Sequence, residues 1–252
     1  VRAFAKNLPR TVIAPLRNFR NLVRRIQYSG KGRYCPVCKK SSCRFAPAGL
    51  DRRNDALCVH CGSLERHRLL WLYVTRRTTL FDGRAKNMLH VAPESCFEPI
   101  LRQRLGDGYL TADLFDPDAM VQMDIMNLQY PDRAFDVIYC SHVLEHVQDD
   151  RKALREFYRV LRNDGWAILL VPIVTGVTIE DPAITDPAER LRVFGQEDHV
   201  RRYGKDYIDR LREAGFTVDV TTVEELVHAD EAFRMGLSQE CGEIYYCTKP
   251  VG

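Results

Sequence analysis

Four of the nine cysteines fall into two C-x-x-C pairs, Cys35-Pro-Val-Cys38 and Cys58-Val-His-Cys61, separated by nineteen residues. Two knuckles that each offer a pair of thiolates complete a tetrahedron around zinc and leave no position open for water. A centre closed in this way holds a fold together rather than performing chemistry. Gly62 after the second pair and Lys39-Lys40 after the first suit tight knuckle turns with cations near thiolates. Cys43 and His60 lie close enough in sequence to replace one of the four. Redox or unpaired cysteines are the alternative reading, which the doubled spacing disfavours. Cys96, Cys140, Cys241 and Cys247 stand in apolar or strand-like contexts and read as small core residues. Just downstream, Ser63 is suited to cap a helix with Glu65 in its first turn, and His67 is expected at a surface position of that helix.

A second set of polar residues closes successive apolar runs. The runs are followed by Ala92-Pro93-Glu94, by Asp113, by Asp124-Ile125 and by Ser141-His142, with His90 inside the first and Glu145-His146 just beyond the last. An acid that ends a strand can accept hydrogen bonds from both hydroxyls of a ribose. An acid after the next strand can reach an adenine amino group while apolar neighbours pack on the ring. Either acid alone is ordinarily a turn or helix cap; two at successive strand ends point to a nucleoside. His199, flanked by acids, is the first candidate for a catalytic base, and His142 is the second. Arg201, Arg202 and Tyr203 are suited to an anionic acceptor, with a solvated turn and helix start as the alternative.

The elements that must position these residues follow from periodicity. Short apolar runs alternate with helical patterns from about residue 85, as an open and mostly parallel sheet requires. The runs predict strands over 88–91, 109–112, 121–123, 134–140, 166–171, 216–220 and 244–247. A helix is predicted over 149–161, with Leu154, Phe157, Tyr158 and Leu161 on its apolar face and Asn163-Asp164-Gly165 as its terminal turn. Another is predicted over 205–214, ended by Gly215. Ligands of such sheets bind at the carboxyl ends of the strands. The stretch 174–204 is long and polar for a connection and is expected to form a lid or acceptor pocket.

With 252 residues, 45% of them hydrophobic, the chain can build one α/β domain and a small appendage. No run of apolar residues is long enough to span a membrane and no secretory signal is evident, so a cytoplasmic location is expected. Charge is uneven. Residues 1–50 hold twelve Lys or Arg and no Asp or Glu, while the remainder carries 25 basic against 34 acidic residues. Residues 1–30 read as a basic amphipathic arm, with Val12, Leu16, Phe19, Val23 and Ile26 on one face. The arm suits RNA, an anionic surface or packing against an acidic domain, and its Arg-rich, acid-free character also suits a mitochondrial presequence. The expected organisation is the arm, a zinc module over 31–64 and a catalytic domain over 65–252.

Met123-Asp124-Ile125, the run Tyr130 to Ile138, Ser141-His142-Val143-Leu144-Glu145-His146-Val147 and the run Arg159 to Gly165 together resemble the type 11 methyltransferase family. The resemblance covers about residues 86–172 and is specific for class I S-adenosylmethionine enzymes, not for their acceptors. It implies a Rossmann-like α/β fold, a seven-stranded mostly parallel sheet with the last strand antiparallel. It implies S-adenosylmethionine as cofactor, with Asp113 at the ribose, Asp124 and Ile125 at the adenine, and Ser141 and His142 near the methionine end. The family's first loop is normally rich in glycine, and His90 to Cys96 contains none. Ala92 and Pro93 are then expected to shape the loop and Glu94 to take the cofactor's ammonium group. The function implied is methyl transfer to a small polar metabolite or glycan-type hydroxyl. Methylation of a ribosomal RNA base, gripped by the zinc module and arm, is the alternative. The missing Asp/Asn-Pro-Pro-Tyr signature argues against exocyclic amino groups. A non-catalytic binding protein on a degenerate fold is the third reading. Oligomeric state leaves no mark in the sequence.

Overall fold

The computed structural model describes residues 21–49 and 52–250. The chain divides into two compact units, one running to Leu72 and including Val227–Cys241, the other holding Tyr73–Leu226 and the stretch from Gly242. The unit that holds the four cysteines thus also includes a segment from far along the chain. Of the basic arm, residues 21–27 are helical, with Leu22, Val23 and Ile26 exposed. Val12, Leu16 and Phe19 lie outside the described residues.

Two hairpins build the first unit: β1 (Arg33–Cys35) pairs antiparallel with β2 (Lys40–Ser42), and β3 (Ala46–Ala48) with β4 (Arg53–Leu57). After each cysteine pair the backbone turns left-handed, at Lys39 (φ 59°) and Gly62 (φ 79°). Their N–H groups donate to the Cys35 and Cys58 carbonyls, 2.8 Å in each case, closing two similar knuckles. The buried guanidinium of Arg68 lies 3.9 Å from the centre of the Phe45 ring. It donates to the carbonyls of Ala56, Ser63, Met235 and Gly236 over 2.6–3.2 Å, so the returning segment is fixed by main-chain acceptors. Gly236 ends the helix Ala229–Met235 at φ 59°, where a Cβ would come within 2.9 Å of Phe45.

The second unit is built on β5 (Met88–Val91), β6 (Tyr109–Asp113), β7 (Val121–Gln122), β8 (Phe135–Ser141), β9 (Leu161–Leu170), β10 (Ile173–Thr175), β11 (Ile179–Glu180), β12 (Arg201–Gly204), β13 (Thr217–Thr221) and β14 (Ile244–Thr248). Seven of these form one sheet in the order β13-β14-β9-β8-β5-β6-β7. Only β14 runs antiparallel to its neighbours. This is the sheet that the resemblance implies. β5 is buried along its whole length and β8 at all but one position, which is why parallel strands covered on both faces read as unbroken apolar runs. From β5 the chain builds outward through β6 and β7, then returns to the other side of β5 through β8 and β9. The carboxyl ends of β5 and β8 thus flank the switch point where such sheets bind ligands.

The helix Asp150–Val160 starts at Asp149, whose side chain accepts the Lys152 N–H at 2.8 Å. Ala153, Leu154, Phe157 and Val160 form its buried face. It passes directly into β9, so Asn163-Asp164-Gly165 is not a helix-ending turn. Leu161 pairs with Phe135 and Trp166 with Val137, which makes the intervening residues a bulge on β9. Gly165 suits it because a Cβ there would lie 2.7 Å from the Asp136 carbonyl oxygen.

The stretch 174–204 is ordered rather than a bare loop: β12 lies between β10 and β11, and the helix Pro187–Phe194 is capped by Asp186. Arg201 and Tyr203, expected to face an acceptor, are buried instead. Arg201 donates to the carbonyls of Leu144, Val147 and Gln148 and to Glu180. The Tyr203 hydroxyl donates to Asp150 at 2.6 Å. Arg210 stands 2.9 Å from Asp150 and 2.8 Å from Glu180. Buried charges persist only when paired, and two arginines with two carboxylates satisfy that rule. Arg202, on the alternate side of the strand, is half-buried. Among the described residues no helix is long and apolar enough to cross a membrane.

Arg210→Ala should lower unfolding stability by about 3–5 kcal/mol, because it leaves Asp150 charged and buried with one arginine fewer; urea denaturation measures it, and a loss below about 1 kcal/mol contradicts the pairing. The Arg210 and Arg201 hydrogen bonds push the Glu180 carboxyl down from 4.5 to about 2. Its contribution is complete above 4.5 and fades as pH falls toward 2, so Glu180→Gln should flatten the stability profile across that window.

Candidate functional site

The two knuckles bring four sulfurs together. Sγ of Cys35 lies 3.7 Å from that of Cys61, and Sγ of Cys38 lies 3.7 Å from that of Cys58. Zinc–sulfur bonds of about 2.3 Å give a tetrahedron with edges of about 3.8 Å, so the cluster has the size of a zinc site. Hydrogen bonds from Cys38, Cys58 and Cys61 hold the Cys35 thiol far below its ordinary range. Further thiolates at this spacing would repel one another, and a cation is what allows all four to ionise. Ser63, read as a helix cap, places its hydroxyl 3.2 Å from the sulfurs of both Cys35 and Cys61. His67 is buried rather than on the surface, and its Nδ1 accepts the Leu64 N–H at 3.2 Å. Cys43 is exposed and the His60 ring meets the Ser41 carbonyl at 3.2 Å, so neither takes part in the cluster. Cys96, Cys140 and Cys247 are buried as expected, while Cys241 is partly exposed.

At the strand ends, the backbone turns left-handed at two residues that are not glycine. Ala92 follows β5 at φ 50° and His142 follows β8 at φ 56°. Their N–H groups donate to Ala112 (2.8 Å) and Leu170 (2.9 Å), which ties each turn to a neighbouring strand. The glycine-free first loop therefore takes the backbone conformation a glycine would, at a strain of about 1–2 kcal/mol for alanine.

Between these turns lies a cavity of about 500 Å³. Of the residues expected at the cofactor, Ala92, Asp113, Asp124, Ile125 and His142 line it, together with the apolar Phe115, Met123 and Met126. Asp113 Oδ1 accepts the N–H groups of Phe115 (2.7 Å) and Asp116 (2.8 Å), and Asp124 Oδ1 accepts that of Met126 at 2.8 Å. Each acid thus shapes the loop that follows its own strand.

His90, Pro93, Glu94 and Ser141 are not part of that lining. His90 is fully buried; Nδ1 is 2.7 Å from the Tyr109 hydroxyl and Nε2 is 2.7 Å from Glu94 Oε2. Glu94 Oε1 accepts the Tyr139 hydroxyl at 2.7 Å. Burial and the Glu94 charge push the Tyr139 phenol well up, so it keeps the proton it donates. Both Glu94 oxygens take part in these bonds, and the carboxylate so links β5 to β8 next to the turn at Ala92.

The far wall of the cavity carries His146 and Asp198. His199, next in the chain, is buried, and its ring meets that of His146 edge-on with centroids 4.7 Å apart. Burial and the neighbouring His146 lower the affinity of His199 for a proton, which favours the neutral imidazole. His142 Nδ1 lies 3.4 Å from Glu145 Oε1, and the Val200 N–H donates to the Glu145 carbonyl at 2.9 Å. The two histidines expected to act on an acceptor thus belong to a wall completed by Glu145 and His146. No local spacing signals the encounter, since His199 arrives from a separate strand connection.

Residues 59–169 match the sequence pattern of the family described as a methyltransferase domain. The chain is 37% identical over 75 residues to the methyltransferase YcgJ of Bacillus subtilis, across 30% of this chain and 28% of that protein. It is 33% identical over 117 residues to the 27-O-demethylrifamycin SV methyltransferase of Amycolatopsis mediterranei, across 45% of this chain and 40% of that one. The chain therefore spans less than half the length of these curated relatives. Among solved structures, the 1,6-didemethyltoxoflavin-N1-methyltransferase of Burkholderia thailandensis, with S-adenosylhomocysteine bound, is similar over 69% of this chain and 75% of its own, at a TM-score of 0.47 and 16% identity. The matched stretch contains β5 to β8 and nearly all of β9, and so both strand ends of the cavity. Residues 59–169 are thus similar to a methyltransferase domain.

Proposed function

We propose that this protein transfers the methyl group of S-adenosylmethionine to a hydroxyl of a small polar metabolite or glycan-type acceptor. The observation that carries the reading is the cavity at the switch point, with Asp113 and Asp124 at successive strand ends and Met123 and Ile125 beside them. One acid suits the ribose hydroxyls, the other the adenine amino group, and the apolar side chains suit the ring. Methyl transfer needs the acceptor held in line with the sulfonium methyl, and help in losing a proton. His142, which lines the cavity, and His199, buried against His146, are the groups proposed to give that help. The relatives named above have a demethylrifamycin and a didemethyltoxoflavin in their names, which supports a small acceptor. The RNA reading rests on the zinc module and on the charge of residues 1–50.

We also propose that Cys35, Cys38, Cys58 and Cys61 hold a structural zinc ion, supported by the 3.7 Å sulfur spacing. The positive charge of Arg68 in the same unit would offset part of the negative charge of a four-thiolate centre.

Calorimetry with S-adenosylhomocysteine should show one site per chain. Asp113→Asn, which keeps the loop-shaping oxygen but removes the charge, should weaken it by about tenfold or more. Absence of binding to the unaltered protein would sink the enzyme reading. Chelation of zinc should expose the four thiols to a thiol reagent and lower the melting temperature, as should Cys58→Ser; a melting curve unmoved by chelation would show that the cluster folds without metal.

A further inference from the structure

The wall that carries His199 holds two buried polar atoms with nothing to bond. Glu145 is 2% exposed and His199 is 7% exposed; among the described residues Glu145 Oε2 and His199 Nε2 have no hydrogen-bond partner. Such orphans each cost about 1–3 kcal/mol, so a fold that keeps two together needs a reason. They are not scattered. One ligand-capable atom from each of Glu145, His146 and His199 lies within 4.8 Å of the others.

The two imidazoles are also oriented. For His199 the Phe194 backbone lies close by, and Nε2 is the buried nitrogen left without a partner. His146 Nδ1 faces Asp198 Oδ2 at 3.2 Å. A metal-bound histidine donates its far N–H to a carbonyl or carboxylate, which fixes the tautomer and turns the other lone pair toward the ion. His146 carries such a partner in Asp198.

We propose that Glu145, His146 and His199 bind a divalent transition-metal ion on the acceptor wall of the cavity. Two imidazoles and a carboxylate suit manganese, iron, cobalt or zinc, and leave further coordination positions open. His146 lines the cavity, so those positions face the space where an acceptor would lie. The inference rests on the methyltransferase reading and deepens it: the acceptor offers a hydroxyl oxygen to the ion, and His199 serves as a ligand rather than as the base. Bound to the cation, the hydroxyl loses its proton to solvent more readily. Its oxygen lone pair then forms the bond to the methyl carbon, while the sulfur–carbon bond breaks and its electron pair stays on sulfur.

The test uses the full chain with its cysteine cluster already filled with zinc, titrated with cobalt(II) alone. One further equivalent should bind, without the near-ultraviolet thiolate-to-cobalt absorption that a cysteine site produces. Glu145→Gln and His146→Ala should each weaken this binding at least tenfold while thermal melting remains cooperative. His146 is exposed, so its replacement keeps the test open if Glu145→Gln does not fold. No further equivalent, or equal binding in the variants, overturns the proposal. Binding of S-adenosylhomocysteine, measured separately, distinguishes the two readings. Cobalt bound without it sustains the metal site and removes the methyl-transfer role; the reverse removes the metal site alone.

Discussion

Asp150 lies 2% exposed, with an Arg210 nitrogen 2.9 Å from its Oδ2 and the Tyr203 hydroxyl 2.6 Å away. A carboxylate so far from water is tenable only while its donors stay in place. Those donors come from β12 and from the helix Tyr207–Glu213, whereas Asp150 opens the helix that leads into β9. One buried charge thus fastens the whole connection after β9 to the main sheet. Arg201 extends the fastening, because it donates to three carbonyls just beyond β8. His199 stands two residues before Arg201, so it reaches His146 as part of a fixed wall rather than of a swinging loop.

The opposite side of the cavity is held by different means. Ala92 and His142 adopt left-handed backbone at adjacent strand ends, and each donates its N–H to a neighbouring strand. Under Ala92, the sequence of bonds from Tyr109 through His90 and Glu94 to Tyr139 joins β5 to both of its neighbours. Burial keeps this polar set from exchanging with water, and low dielectric strengthens bonds that are fully satisfied. A loop without glycine gains from that brace the shape that its own residues would not choose.

The sequence made the cysteine cluster and the order of strands legible because both depend on local signals, a spacing and a periodicity. Asp113 and Asp124 were legible for the same reason, since a strand end can be read from where an apolar run stops. His90 lies inside a buried run, and its position in the strand sets its partners there. Ser63, Arg201 and Tyr203 were misjudged because their partners are distant in sequence. A serine after a cysteine pair looks like a helix cap until the other pair folds against it. An arginine in a polar connection looks solvent-facing until Asp150 is found beneath it. Gly165 looked like a helix terminus because a bulge and a turn ask for the same residue.

Arg68 binds the carbonyls of Met235 and Gly236, 167 and 168 residues further on. The ribosome delivers a chain in order, so the cysteine pairs emerge long before the acceptors that let this cation leave water. At about 5–20 residues per second, the wait is roughly ten to thirty seconds. The unit that is begun first therefore waits for its last segment until most of the second has been made, and through that interval its sulfurs and its hairpins must hold together without the strap that finishes them.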